Sequence, residues 1–261
     1  MPRYEQIAEA LRRGIRAGRL RPGERLPAED RLAARYRTGV PTLRRALSEL
    51  AAEGLIDQRH GAGTFVRTPR RRVERSNERH QWEKDRVRRP RAERLRTGAT
   101  EHDTGLDVTD LAFRIEYRET KAGEDLAAVF GVPVGTRLLE RMYRTNCRAE
   151  DAPFALVHSY LVHDVVAADP ELLDAANEPW PGGTQHQLYT IGIELDRVEE
   201  RVTARPPTAE EAGALGLGEG VSLIVIRKIC TDTDGRVAEV SDVRLPGDRT
   251  ELIFTTYLTR W

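Results

Sequence analysis

Apolar residues recur along the first part of the chain at helical spacing. Tyr4, Ile7, Ala8, Leu11 and Ile15 fall on one face, which predicts a helix from about Arg3 to Ala17. Gly18 and then Pro22-Gly23 end it. Pro27-Ala28-Glu29-Asp30 opens a second helix, because Pro suits a first turn and two acids suit the positive end of a helix dipole. Leu32, Ala33 and Tyr36 form its inner face, and Arg37-Thr38-Gly39 makes a short turn. Leu43, Ala46, Leu47 and Leu50 mark a third helix, from Val40 or Pro41 to Glu53, with Gly54 as its stop. The period then shortens. Leu55–Gln58 and Thr64–Val66 read as two strands around His60-Gly61-Ala62-Gly63. Three helices and a hairpin in this order predict a winged helix-turn-helix over residues 1–68. In that arrangement the third helix enters a major groove and the hairpin lies along the backbone or minor groove.

The pattern changes between Arg67 and Arg96, where 13 basic and 5 acidic side chains leave few apolar positions. Residues 69–100 are expected as a basic linker. Arg70-Arg71-Arg72 leaves the hairpin and either stays solvated or adds phosphate contacts, and Gln81-Trp82 is a candidate docking anchor.

A mixed pattern follows over residues 101–261. Leu111–Thr120 alternates as a strand, Glu124–Phe130 reads as a short helix, and Leu138–Asn146 and Phe154–Val162 read as strands. Pro170–Asn177 is a short helix or turn, Leu188–Ile193 is expected to be helical and Glu194–Ala204 to be a strand. Thr208 and Glu211 have the spacing of a capping box for a helix through Leu215. Val221–Thr231 and Val237–Arg244 pair around Asp234-Gly235, and Leu252–Leu258 is a candidate last strand. The fold class is α+β, with an antiparallel sheet in the second domain.

Charge sharpens this division. The chain is neutral, with 42 basic and 42 acidic residues. Residues 1–100 carry 26 of the basic and 13 of the acidic ones, leaving 16 and 29 for the rest. A basic segment joined to an acidic one favours nucleic acid as the partner of the first part. No apolar run is long enough for a membrane span, and the N-terminus has no signal core, so a cytoplasmic protein is expected. Cys147 and Cys230 have no metal-spaced neighbours and read as buried thiols.

Residues 4–66 resemble the head of the GntR transcription factors, whose signature is L-P-S-E, V-S-R-x-T-V-R-x-A-L-x-x-L and G-x-G-T-F-V. Here it reads Leu26-Pro27-Ala28-Glu29, Thr38-Gly39-Val40-Pro41-Thr42-Leu43-Arg44-Arg45-Ala46-Leu47-Ser48-Glu49-Leu50 and Gly61-Ala62-Gly63-Thr64-Phe65-Val66. The second half is similar to the UTRA ligand-sensing domain of the HutC subgroup, through Glu140-Arg141-Met142-Tyr143, Pro153–Leu161, Thr208–Lys228 and Asp234–Arg249. The resemblance implies a chorismate-lyase-like second domain. It implies a homodimeric repressor, nucleoid-associated when bound, that leaves a palindromic double-stranded operator when a small molecule binds. An activator fits as well. The alternative is an effector-independent regulator, of plasmid-maintenance or architectural type, whose UTRA domain only dimerises.

The DNA-contacting candidates are Arg35, Arg37, Thr42, Arg44, Arg45, His60, Gly61, Gly63 and Thr64. Arg44 is placed for guanine or phosphate and Thr42 for phosphate. Val40 stands where the family has an Arg, and Asp30 stands where an Arg is common, so base preference is expected to depart from the family's. The effector-binding candidates are Arg141, Tyr143, Val157, His158, Ser159, Glu239 and Leu245. Family members that sense sugar phosphates use an R-x-R pair, two Glu and a Tyr. Here Arg141 and Glu239 remain, while Tyr143, Val157 and Leu245 replace the others. That substitution implies a more apolar effector, with a carboxylate to match Arg141, or else an Arg141–Glu239 pair that serves structure alone. No metal or other cofactor is expected. No nucleophile–base constellation suggests an enzyme: the histidines after the head are scattered, and neither G-x-S-x-G nor H-E-x-x-H occurs.

Overall fold

The computed structural model describes residues 1–59, 61–150 and 152–259. His60, a candidate DNA contact, lies outside the described residues. Packing divides the chain into two units. The first holds Met1–Arg71 with Pro206–Gly213 and Leu217–Ser222, and the second holds Arg72–Arg205, Ala214–Gly216 and the chain from Leu223 onward.

Helices α1 (Arg3–Arg16), α2 (Glu29–Arg35) and α3 (Val40–Ala52) precede the hairpin of β1 (Ile56–Arg59) and β2 (Gly63–Val66). The expected head is therefore present with its elements in the expected order. Ile7, Leu11, Leu32, Leu43, Leu47, Leu50 and Ile56 are all but fully buried in one cluster. Burying one such side chain stabilises the fold by about 1.5–3 kcal/mol. α3 starts after extended Gly39 and carries Pro41 in its first turn, where a missing N–H costs nothing. The hairpin pairs Ile56 with Val66 and Arg59 with Gly63. A neighbouring segment joins its edge: Leu26 N–H donates to Thr64 O at 2.8 Å, and Val66 N–H to Glu24 O at 2.8 Å.

The second unit opens with an arm that the polarity of residues 69–100 led us to expect as a linker. Instead, β3 (Val73–Ser76), α4 (Arg79–Arg86), α5 (Arg91–Arg94) and α6 (Ala99–Thr104) occupy residues 73–104. Long-range ion pairs, which local patterning does not reveal, hold this polar arm. Arg75 binds Glu200, Arg79 binds Asp103, and Lys84 Nζ lies 3.1 Å from Glu194.

The sheet strands are β4 (Leu111–Lys121), β5 (Arg137–Cys147), β6 (Ala155–Val162), β7 (Leu195–Arg205), β8 (Leu223–Asp232) and β9 (Val237–Pro246). They form one antiparallel sheet in the order β4-β5-β6-β9-β8-β7. Helices α7 (Glu124–Phe130), α8 (His163–Val166), α9 (Gly183–Thr190) and α10 (Ala209–Leu215) lie between strands in the chain. Thr208 and Glu211 form the expected capping box, each accepting the other's backbone N–H, at 3.2 and 2.9 Å. α9 begins at Gly183, earlier than the expected Leu188, because Gly182 at φ +98 turns the chain into it. The last strand, β10 (Thr250–Ile253), is shorter than expected and pairs in parallel with β3, Thr250 against Val73 and Leu252 against Arg75.

Candidate functional site

On the head, α3 presents Arg44 and Arg45 to solvent. Leu43, Ala46, Leu47 and Leu50 point the other way into the core, so the helix period itself separates a packing stripe from a polar one. Arg44 Nε lies 2.7 Å from Glu29 Oε2 of α2, and its side chain keeps 67% of its exposure. Arg45 lies over the Tyr4 ring, 3.9 Å from its centroid, and donates from Nη2 to the Tyr4 hydroxyl at 3.1 Å. Thr42 is half-buried on the same helix, and Arg35 and Arg37 are exposed at the end of α2. Arg37 adopts φ +49, a left-handed turn that non-glycine residues enter rarely. At the hairpin tip Gly61 has φ +71 and Gly63 φ +110. Phe65 is flanked by two cations, the guanidinium carbons of Arg59 and Arg25 lying 4.8 and 6.0 Å from its ring.

In the second unit, one face of the sheet and the arm enclose a cavity of about 290 Å3. Strand alternation puts Phe113 and Ile115 of β4, Tyr143 of β5, Val157 and Ser159 of β6, and Val243 and Leu245 of β9 along its walls. Beneath it lies a network of buried charges. Arg141 donates to Gln187 Oε1 at 2.6 Å, Ser159 Oγ at 2.8 Å, Thr184 Oγ1 at 3.1 Å and Glu239 Oε1 at 3.1 Å. Ser159 Oγ donates to the same Glu239 oxygen at 2.6 Å, and Lys228 Nζ lies 2.8 Å from the other. One carboxylate thus answers two cations.

The electrostatics follow from that wiring. Burial would raise the Glu239 carboxyl, but Lys228, Arg141 and the hydrogen bonds from Lys228 and Ser159 hold it well below the usual carboxylate range. Burial would likewise lower the Lys228 ammonium, and its paired carboxylate Glu239 keeps it above its usual range. Burial pushes the Cys230 thiol up to about 12, so it stays protonated and unreactive at neutral pH. Glu178 Oε1 accepts from the Tyr143 hydroxyl at 3.0 Å, Gln187 Nε2 at 3.0 Å and the Tyr117 hydroxyl. Burial holds both phenols above their usual range, which keeps them as donors.

The model of bacterial regulatory proteins of the gntR family matches residues 3–66, and the UTRA domain model matches residues 114–251. The chain belongs to the UTRA family and carries a GntR head. It is similar along its length to the transcriptional repressor NagR of Bacillus subtilis, 27% identical and covering all of this chain and 96% of that one. It is also similar to the histidine utilization repressor of Klebsiella aerogenes, 28% identical over 96% of this chain and 93% of that one. A solved GntR-family regulator superposes with a TM-score of 0.65 at 26% identity, covering 99% of both chains. PhnF of Mycobacterium smegmatis, with a TM-score of 0.51 at 22% identity, shares the fold over 97% of this chain and all of that one. This is a DNA-binding transcriptional regulator.

On its UTRA sheet, five of the seven expected effector residues line the cavity: Tyr143, Val157, Ser159, Glu239 and Leu245. Arg141 is not among the lining residues. It lies under the floor with its terminal nitrogens already bonded, so it does not offer a free guanidinium to a ligand. His158 does not line the cavity either. It neighbours Val157 on β6 and so faces the opposite side, where Nδ1 sits 2.8 Å from Glu140 Oε1. Sequence reasoning missed Lys228, Glu178, Trp180 and the arm residues Trp82 and Glu83, all of which line the cavity. Strand alternation from Cys230 could have found Lys228, while nothing local marks Glu178. In the GntR head, Arg25 and Arg59 around Phe65 were also missed. Among the described residues, no helix is long and apolar enough to cross a membrane, and no three His, Cys, Asp or Glu side chains gather as a metal site.

Proposed function

We propose that the regulator is a homodimeric repressor that binds a palindromic operator through its GntR heads and leaves it when a small molecule fills the UTRA cavity. It would act in the cytoplasm, on the nucleoid. The observation that carries the reading is the partly open cavity of about 290 Å3 over a charge-paired floor, close to the smaller ligand sites of proteins. The resemblance to two proteins named as repressors over nearly their whole lengths supports the sign of regulation. On the head, Thr42, Arg44 and Arg45 read and position the DNA from α3, Arg35 and Arg37 add phosphate contacts, and Gly61, Gly63 and Thr64 bring the hairpin close to the duplex.

The test uses the full chain and an operator selected from random DNA. A low-molecular-weight extract of the source cells should dissociate the complex with the native chain. The Val157→Trp variant, whose larger side chain fills the cavity, should bind the operator equally well and resist release. Release of both to the same extent would remove the cavity from the mechanism. An extract without effect on either would favour the regulator whose UTRA domain only dimerises, a reading supported by the buried Arg141–Glu239 ion pair.

A further inference from the structure

The arm outside both family models, within residues 67–113, supplies one wall of the cavity. Two of its arginines, Arg75 on β3 and Arg79 at the start of α4, line the cavity with side chains only 10% and 11% exposed. Each spends a terminal nitrogen on a carboxylate, Arg75 on Glu200 and Arg79 on Asp103. Each Nε–H is buried and has no hydrogen-bond partner. The β3–β10 register places Thr250 on the same face of the ladder as Val73 and Arg75, and its Oγ1 is also buried without a partner. Ser241 Oγ, on the sheet side of the same cavity, is in the same state. Buried donors of this kind are costly when left unbonded, so several along one cavity are a sign of a ligand.

We propose that Arg75, Arg79 and Thr250 form an acid subsite of the effector cavity, which takes the carboxylate of a small molecule whose apolar body lies against Trp82, Phe113 and Val157. The proposal rests on reading this cavity as the effector site. A carboxylate matches the donor set because its two oxygens offer about four lone-pair positions, twice what a carbonyl offers. It also meets the electrostatics of the two arginines. Burial, and after it the neighbouring Arg79, lowers the Arg75 guanidinium, while burial raises the Asp103 carboxyl that answers Arg79. An incoming anion therefore offsets the crowding of Arg75 by Arg79, beyond the one carboxylate that each arginine already faces.

The probe pair is indole-3-acetate and its neutral isostere indole-3-acetamide, titrated calorimetrically into the full-length protein. The acid should bind at least tenfold more tightly than the amide. Arg75→Lys keeps the charge facing Glu200 but removes the Nε–H, and Thr250→Val keeps the shape but removes the hydroxyl. Both should bring the acid towards the affinity of the amide, and unchanged melting midpoints would show that the fold persists. Equal binding of acid and amide to the native chain, with both weakened by Trp82→Ala, would overturn the subsite and leave the cavity reading standing. Full acid preference in both variants would also overturn it. Binding of neither probe at millimolar concentration overturns it too, and the Val157→Trp release assay, which uses no acid, then decides the cavity reading separately.

Discussion

The two polar regions of this regulator are built on opposite terms. The arginines of the recognition helix are exposed and lightly held, Arg44 by one ion pair and Arg45 by one tyrosine. The charges under the UTRA cavity are buried and held from several sides, with Arg141, Lys228 and Ser159 all converging on Glu239. An exposed pair contributes about 0–1 kcal/mol, so Arg44 can leave Glu29 for another partner at little cost. A buried pair that loses one partner costs several times more. The head is therefore equipped to change partners, and the cavity floor is equipped to keep its own.

Removing the central carboxylate breaks this contrast most sharply. Glu239→Ala strands the buried Arg141 and the half-buried Lys228 and should destabilise the UTRA unit by about 3–5 kcal/mol in urea titrations. Glu29→Ala, made on the partly exposed pair of the head, should cost less than about 1 kcal/mol. Equal losses would erase the distinction. On the head the larger effect lies in binding: Arg44→Ala should weaken the operator complex by about 1–3 kcal/mol, roughly 5- to 150-fold, in mobility shifts at fixed salt. Near-native affinity would remove Arg44 from the reading set.

Acid titration tests the same contrast through pH. A carboxyl held below its unfolded value adds stability above that value, about 4.3 for Glu, and loses it as pH falls. Glu239 is held far down, and Glu200, against burial and through bonds from His80 and Arg75, at about 2. The UTRA unit should therefore lose stability steadily as pH falls from about 4.3 towards 2. The fluorescence of Trp82 and Trp180, both in that unit, reports it. Glu239→Gln should flatten the profile, and an unchanged profile would refute the assignment. An intermediate effect is expected at the hairpin tip. Gly61→Ala meets no atom within 4 Å but must adopt φ +71, at a cost of about 1–2 kcal/mol, which should shift the head's transition alone.

What the sequence made legible follows from how far each signal reaches along the chain. The head's helices show in their own spacing, from Ile7 and Leu11 to Leu43, Leu47 and Leu50, because each buries a stripe written within one element. The sheet strands show in their alternation for the same reason. The arm did not. Arg75 and Arg79 look solvated until β7 brings Glu200 and α6 brings Asp103 beside them, and no window of local sequence contains both members of the first pair. Arg141 was legible as a charged residue on a strand, but its use was not. Gln187, Thr184 and Glu239, which consume its hydrogen bonds, come from α9 and β9, dozens of residues away. Lys228 lay in plain view on β8 and became a site residue only once Glu239 faced it.

The parallel ladder between β3 and β10 has a consequence for the order of assembly. β10 leaves the ribosome after every other described element, yet β3, which it pairs with, comes directly after the head in the chain. During synthesis the head has all of its own helices early and can fold at once. The wall of the cavity that includes Arg75 has no partner strand until β10 has been made. A nascent chain can therefore carry a finished head long before the wall of the UTRA cavity is complete.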